Sequence, residues 1–119
     1  MRQKILDYII QHNLSSTAVA DALGKTGSIE NISAVNHGHF VAGNVRWVYC
    51  FGGSNYALHK QLREVMEGEI IIVEGICCEN KAMFGDIVAQ YLFHHKKIKA
   101  VVALGKLRDA PSLIQENYA

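Results

Sequence analysis

The sequence predicts an α/β fold with a partly parallel sheet flanked by helices. Three observations carry that expectation. Ile70 to Val73 and Ala100 to Leu104 are short unbroken apolar runs, of the kind that form buried strands. Stretches with apolar residues at helical spacing lie between and around such runs. Strands alternating with helices in this way build βαβ units, in which neighbouring strands are parallel. With 119 residues the chain is long enough for one domain and one modest core, so a single domain over 1–119 is expected.

In chain order, Met1 to His12 reads as a helix with Ile5, Leu6, Ile9 and Ile10 on one side, broken at Asn13 and Leu14. Ser15 or Ser16 can cap a second helix, Thr17 to Leu23, which Gly24 stops. Phe40 to Ala42 and Val45 to Cys50 read as strands around the Gly43-Asn44 turn or bulge. Ser54 is the candidate cap of a helix from about Asn55 to Met66, with Leu58, Leu62 and Val65 at helical spacing. After the Ile70 to Val73 strand, Gly75 to Lys81 is expected as loop. Ala82 to His95 is expected as one helix, with Val88, Tyr91, Leu92 and His95 on one face.

The stretch from Ala100 to Leu113 organises the rest. Ala100 to Leu104 is expected to be a strand buried on both faces, ended by Gly105. Asp109 falls where a helix N-cap belongs, and Pro111 falls in the first turn of the last short helix, Ala110 to Gln115. Arg108 and Asp109 thus arrive side by side at the C-terminal edge of a strand, where open α/β sheets place ligand sites. Arg holds a carboxylate bidentately and Asp holds a hard metal ion. The bland alternative, that Asp109 only caps the helix and Arg108 only pairs with it, stands beside that reading.

Composition narrows the function classes. A formal net charge of +1 argues against a strongly electrostatic nucleic-acid binder, and the one basic cluster, Lys96, Lys97 and Lys99, reads as a solvated loop. No apolar run reaches the length of a membrane span, and the N-terminus, which carries Asp7, is a poor signal peptide. Cys50, Cys77 and Cys78 are odd in number and two are adjacent, which is no disulfide framework; reduced thiols in a cytoplasmic protein are the simplest reading.

Six segments, in order, resemble one known family. They are STAVADALG (Ser16 to Gly24), VAGNVRWVYC (Val41 to Cys50), GGSNYALHKQL (Gly52 to Leu62), GEIIIVEG (Gly68 to Gly75), AMFGDIVAQ (Ala82 to Gln90) and VALGKLRDAPSL ending at Leu113. The family is that of the regulator of ribonuclease E activity and of the 4-hydroxy-4-methyl-2-oxoglutarate aldolases, whose members once carried a demethylmenaquinone methyltransferase label. The resemblance implies a swivelling β/β/α domain assembled as a homotrimer or hexamer. It implies a class II aldolase that uses Mg²⁺ or Mn²⁺, cleaves 4-hydroxy-2-oxo acids to pyruvate and decarboxylates oxaloacetate. Arg108 is then the catalytic, substrate-binding arginine and Asp109 the catalytic residue that binds the metal. The loop facing the pyruvoyl group falls on Gly75, Ile76, Cys77, Cys78 and Glu79.

The physical chemistry suits that activity. A divalent ion polarises the ketone and holds the charge that develops on C–C cleavage. A bidentate arginine fixes the carboxylate. The alternative within the same family is a non-catalytic regulator that binds a ribonuclease of the E type, or an inactive homologue. The methyltransferase label has no support from a glycine-rich cofactor loop after a first strand. The chain differs from the family pattern at three places. Ser112 stands where an acidic residue usually follows the Asp by three positions. Ile76, Cys77 and Cys78 occupy a loop that is usually glycine-rich, and the C-terminal part of the family domain is expected to be missing after Ala119.

Other residues carry competing readings. His37 and His39 put two imidazoles on one face of an extended segment, as a metal pair or as surface loop. Cys77 and Cys78 are either redox-active or packed. His59 shares a helical face with Asn55 and either makes a structural hydrogen bond or lines a pocket or interface. His94 and His95 close a helix, where a cation suits the dipole. Glu74 and Glu79 are acid/base groups or solvated loop residues, and Asp86 reads as a helix-start acid.

Overall fold

The computed structural model describes all 119 residues, as two compact units, residues 1–33 and 34–119. In the first unit, α1 (Arg2–Gln11) and α2 (Ser16–Ala22) follow the expected order. Ser15 is the cap: its hydroxyl accepts the Ala18 N–H at 3.1 Å. No residue of either helix is fully buried; Leu6 and Ile9 are half-buried, whereas Ile5 and Ile10 face solvent.

The second unit is a parallel three-stranded sheet in the order β1 (Val45–Phe51), β2 (Ile70–Ile76), β3 (Ala100–Leu104). Val45 pairs with Ile70, and Ile70 with Ala100. The connections carry α3 (Tyr56–Leu62) between β1 and β2 and α4 (Asp86–Gln90) between β2 and β3; α5 (Ala110–Gln115) follows β3. The alternation of strand side chains sets the core. Val48 and Cys50 of β1 and Ile71 and Val73 of β2 turn inward onto Leu58, Leu62 and Val65, with Met83, Phe84, Val88 and Leu92 completing the cluster. Val45, Trp47 and Phe51 turn to the other side and are exposed.

Four expectations are corrected here. Phe40 to Ala42 is not a strand: Gly43-Asn44 makes no hairpin but feeds the β1–β2 ladder, with Asn44 O accepting the Ile70 N–H at 2.8 Å. Ala100 to Leu104 is not buried on both faces. It is the edge of the sheet and half-buried throughout, because β2 takes the centre. The strand Ile70 to Val73 runs on to Ile76, so Gly75 and Ile76 pair with Cys50 and Phe51 rather than lying in the loop. The single helix over Ala82 to His95 is divided. Met83 to Gly85 is extended and lies beside Lys106 to Arg108, bridged at Phe84 and Leu107. Only then does α4 begin, and it passes into a π-helical turn, Tyr91–His95.

Each sheet edge is capped at one residue, which interrupts it as a template for strand addition. On β1, Tyr49 N–H donates to Gln61 Oε1 (3.2 Å) and Gln61 Nε2 donates to Tyr49 O (3.0 Å). On β3, Val101 N–H donates to Ala119 O (3.1 Å). At the other end of the sheet, Arg46 and Glu69 form a two-pronged ion pair, Nε to Oε2 at 2.7 Å and Nη2 to Oε1 at 2.9 Å.

The hydrogen bond from Arg46 holds the Glu69 carboxyl below its ordinary range, against burial, with the Met66 N–H assisting. A carboxyl depressed in the fold stabilises it above the ordinary carboxylate pKa, and that contribution is lost as pH falls through the folded value. Glu69→Gln is therefore expected to cost about 2 kcal/mol at neutral pH. Urea melts across pH 7 to pH 3 should show the gap to wild type closing as the solution is acidified. A gap that stays constant would remove the ion pair as its cause.

Candidate functional site

Gly105 ends β3, and the chain runs on extended through Lys106, Leu107 and Arg108. Two backbone hydrogen bonds anchor this strip: Met83 N–H to Lys106 O (2.8 Å) and Arg108 N–H to Phe84 O (3.2 Å). Leu107 packs against the core. Asp109 then takes a left-handed conformation, φ +61°, and occupies the N-cap position of α5. Its carboxylate makes no bond to that helix. Oδ2 instead accepts the backbone N–H of Asp86, the first residue of α4, at 3.2 Å. Asp109 therefore sits at the start of one helix and ties down the start of another.

Arg108 Nε lies 3.7 Å from Asp109 Oδ2 with both side chains well exposed, a loose contact that leaves the guanidinium free to take a carboxylate. Gly85 fills the space beneath the pair. A Cβ there would run into Asp109 Oδ2 and Arg108 Cγ. Its φ of −144° suits any residue, so it is the close approach of the Arg108-Asp109 turn, and not backbone strain, that requires glycine.

Asp86 opens α4, as the helix-start reading expected, and it carries more than that reading gave it. Its Oδ2 accepts from Gln90 Nε2 at 2.8 Å, while Oδ1 is shielded from solvent and has no partner. A buried carboxylate oxygen without a donor calls for a cation, a proton or a water. The available signal was the Gly85-Asp86 pair opening a helical run; its meaning depends on Asp109, 23 residues later, reaching back to it.

The residues present fit a hydrated, hard divalent ion. Asp109 offers an exposed carboxylate at this corner, and Mg²⁺ is commonly held by one or two carboxylates while keeping several waters. No three His, Cys, Asp or Glu side chains converge anywhere in the chain, so a closed all-protein cage of the zinc type is not what is built.

The segment Gly75 to Glu79 leaves the carboxyl end of β2, next to the end of β3, where Glu74 pairs with Leu104. Gly75 is packed under Met83 Sδ, and Ile76 ends β2. Cys77 and Glu79 hold left-handed backbone, φ +53° and +51°, as side-chain-bearing residues where such geometry favours glycine. Cys78 is buried and its thiol lies 3.5 Å from Cys50 O, whereas Cys77 is exposed. Burial pushes the Cys50 thiol up, with Cys78 adding to it, so Cys50 is a packed, protonated thiol. Phe84, Gly85 and Asp86 touch the Arg108-Asp109 turn.

The remaining side chains take structural positions. His39 Nε2 lies 3.3 Å from Asn117 Oδ1, and His37 is exposed. His94 Nε2 lies 3.1 Å from Tyr118 Oη, and His95 stacks on Tyr91. Glu74 accepts the Trp47 indole N–H at 2.8 Å on the outer face of the sheet. Asn55 and His59 are both exposed; the His59 N–H donates to Asn55 O at 2.9 Å. No helix is long and apolar enough to cross a membrane.

Two comparisons with known proteins place the chain in a family. The family model described as RraA-like (Aldolase/RraA) matches residues 16–119. A curated protein of Halalkalibacterium halodurans, named "Putative 4-hydroxy-4-methyl-2-oxoglutarate aldolase", is 31% identical over 90 residues, covering 74% of this chain. The aligned region spans 43% of that relative's length. With an α/β unit built on a parallel sheet, an Arg-Asp turn at its carboxyl edge and a family match over nearly the whole sequence, this chain belongs to the RraA-like aldolase family.

Proposed function

We propose that this chain carries the site of a divalent-metal-dependent aldolase that cleaves 4-hydroxy-2-oxo acids to pyruvate and decarboxylates oxaloacetate. One observation supports it above the others: an exposed guanidinium at Arg108 stands beside the half-exposed carboxylate of Asp109, whose Oδ2 takes only the Asp86 N–H besides that loose contact. Arg108 takes the substrate's 1-carboxylate in a bidentate grip and so fixes the neighbouring ketone. Asp109 would hold Mg²⁺ or Mn²⁺ through oxygen and water. When bound, the ion would polarise the ketone and offset the negative charge that develops as the C–C bond breaks. Gly85 keeps the floor of this corner at backbone height. A cytoplasmic homotrimer or hexamer belongs to the same proposal.

The test is pyruvate release from 4-hydroxy-4-methyl-2-oxoglutarate and from oxaloacetate, with Mg²⁺ or Mn²⁺ and with a chelator. Asp109→Ala is expected to remove turnover by at least about a hundredfold, and Arg108→Lys to raise KM about tenfold, because lysine cannot reproduce the two-pronged grip. A folded wild-type protein with no metal-dependent turnover would sink the proposal.

One feature favours a second reading, a protein-binding regulator of the ribonuclease E type. Parallel sheets are ordinarily covered on both faces. Here Val45, Trp47 and Phe51 expose a row of large apolar side chains on the face opposite the core. Capture of such a ribonuclease by the wild type, lost in Trp47→Ser and Phe51→Ser, alongside absent lyase activity, is the result that selects this reading.

A further inference from the structure

Lys106 lies two residues before Arg108 in the same extended strip, with Leu107 between them turned onto the core. Side chains alternate along extended backbone, so Lys106 and Arg108 leave the strip on one side, with their Cα atoms about 6.6 Å apart. Both residues are exposed. The Lys106 ammonium is steered by Asn80, donating to Oδ1 at 2.8 Å. Asn80 is neutral, and Lys106 takes part in neither of the chain's ion pairs, Arg46–Glu69 and Arg108–Asp109. It is a full positive charge, held in place beside the site and uncompensated.

We infer that Lys106 receives the second carboxylate of a dicarboxylic 2-oxo acid whose first carboxylate is held by Arg108. Lys106 is then a specificity-determining residue and Asn80 a positioning residue. The inference rests on the proposal that Arg108 takes the 2-oxo acid. The two cations suit the two tasks. The planar fork of arginine fixes the carboxylate next to the reacting ketone, where orientation matters. The compact charge of lysine on a flexible stem accepts the far carboxylate at several chain lengths, where only charge matters. Asn80 reduces the freedom the lysine must give up on binding, without neutralising it.

The experiment is calorimetric titration of the full chain in Mg²⁺ at low salt with 2-oxoglutarate and with 2-oxobutyrate, which share the 2-oxo carboxylate and differ in the second one. The expected wild-type preference for 2-oxoglutarate is about tenfold. It should fall to near unity in Lys106→Met, fall partway in Asn80→Ala and be kept in Lys106→Arg. Lys60→Met, which removes the same charge from the exposed face of α3, should leave it as in wild type. A preference unchanged in Lys106→Met overturns the assignment of Lys106 while leaving the Arg108 reading in place. Binding of both acids that survives Arg108→Met at wild-type strength overturns the Arg108 reading and the inference with it, as does a wild type that binds neither.

Discussion

Gly85→Ala is expected to lower pyruvate release about a hundredfold and to destabilise the fold by about 1–3 kcal/mol. The same change at Gly75 is expected to leave turnover near wild type and stability within about 1 kcal/mol. The two glycines differ in what stands opposite them. At Gly75 the new methyl would meet the thioether end of Met83, Sδ at 3.0 Å, a flexible group that can rotate away. At Gly85 it would meet the Asp109 carboxylate and the Arg108 stem. The Asp109 carboxylate is held by the Asp86 N–H, and the Arg108 stem rises from backbone tied to Phe84 O. Making room moves that carboxylate or that stem, and with it one of the proposed functional groups. The pair of variants also weighs the floor at Gly85 against the expected loop at Gly75–Glu79. A Gly75 variant more damaged in kcat/KM than the Gly85 variant would favour Gly75–Glu79 as the substrate-facing loop and withdraw the role given to Gly85.

The strands were legible because their apolar runs are local and unbroken; Val45 to Cys50, Ile70 to Val73 and Ala100 to Leu104 all lie in the sheet. Which of them is central was not. A run such as AVVAL looks the same in an edge strand and in a buried one, and only the pairing order places β2 in the middle. The helix over Ala82 to His95 misled for a related reason. Helical spacing continues smoothly through Met83 and Phe84, but their backbone groups are taken by Lys106 and Arg108, more than twenty residues downstream. A long-range strip overrides a local period. Asp109 shows both sides of this. Its place at the start of α5 followed from the Asp-Ala-Pro order. That its side chain abandons α5 for the first N–H of α4 follows from a left-handed backbone that no spacing rule reveals. Asp86 and Gly85 belong to the corner only through that crossing, which is why the Arg108-Asp109 pair was visible in the sequence and its floor was not.

Leu92→Ala is expected to cost about 3–4 kcal/mol, a large share of the roughly 5–15 kcal/mol that holds a domain folded. Leu92 is completely buried, in the middle of the π-helical turn, and joins the cluster made by Val48, Ile71, Val73, Leu58 and Leu62. Its carbonyl also accepts the Ile98 N–H at 3.2 Å, at the entry to β3. The side chain is therefore wedged between sheet and helices, where neighbours cannot collapse into the space it leaves. Each kcal/mol moves the melting temperature by about 4–8 °C in a domain near this size, so a drop beyond about 12 °C is the expected thermal readout. Ile87→Ala, in α4 and 80% exposed, should change stability by less than about 0.5 kcal/mol. The contrast tests the inward face of α4 and its π-helical continuation. Similar losses at both positions would mean that the element is not seated as Leu92 requires. A large loss at Leu92 with unchanged turnover per folded molecule would show something further. The Asp86 end of α4 would then be held by Asp109 and the Phe84–Leu107 strip, independently of how firmly the far end of the element is packed.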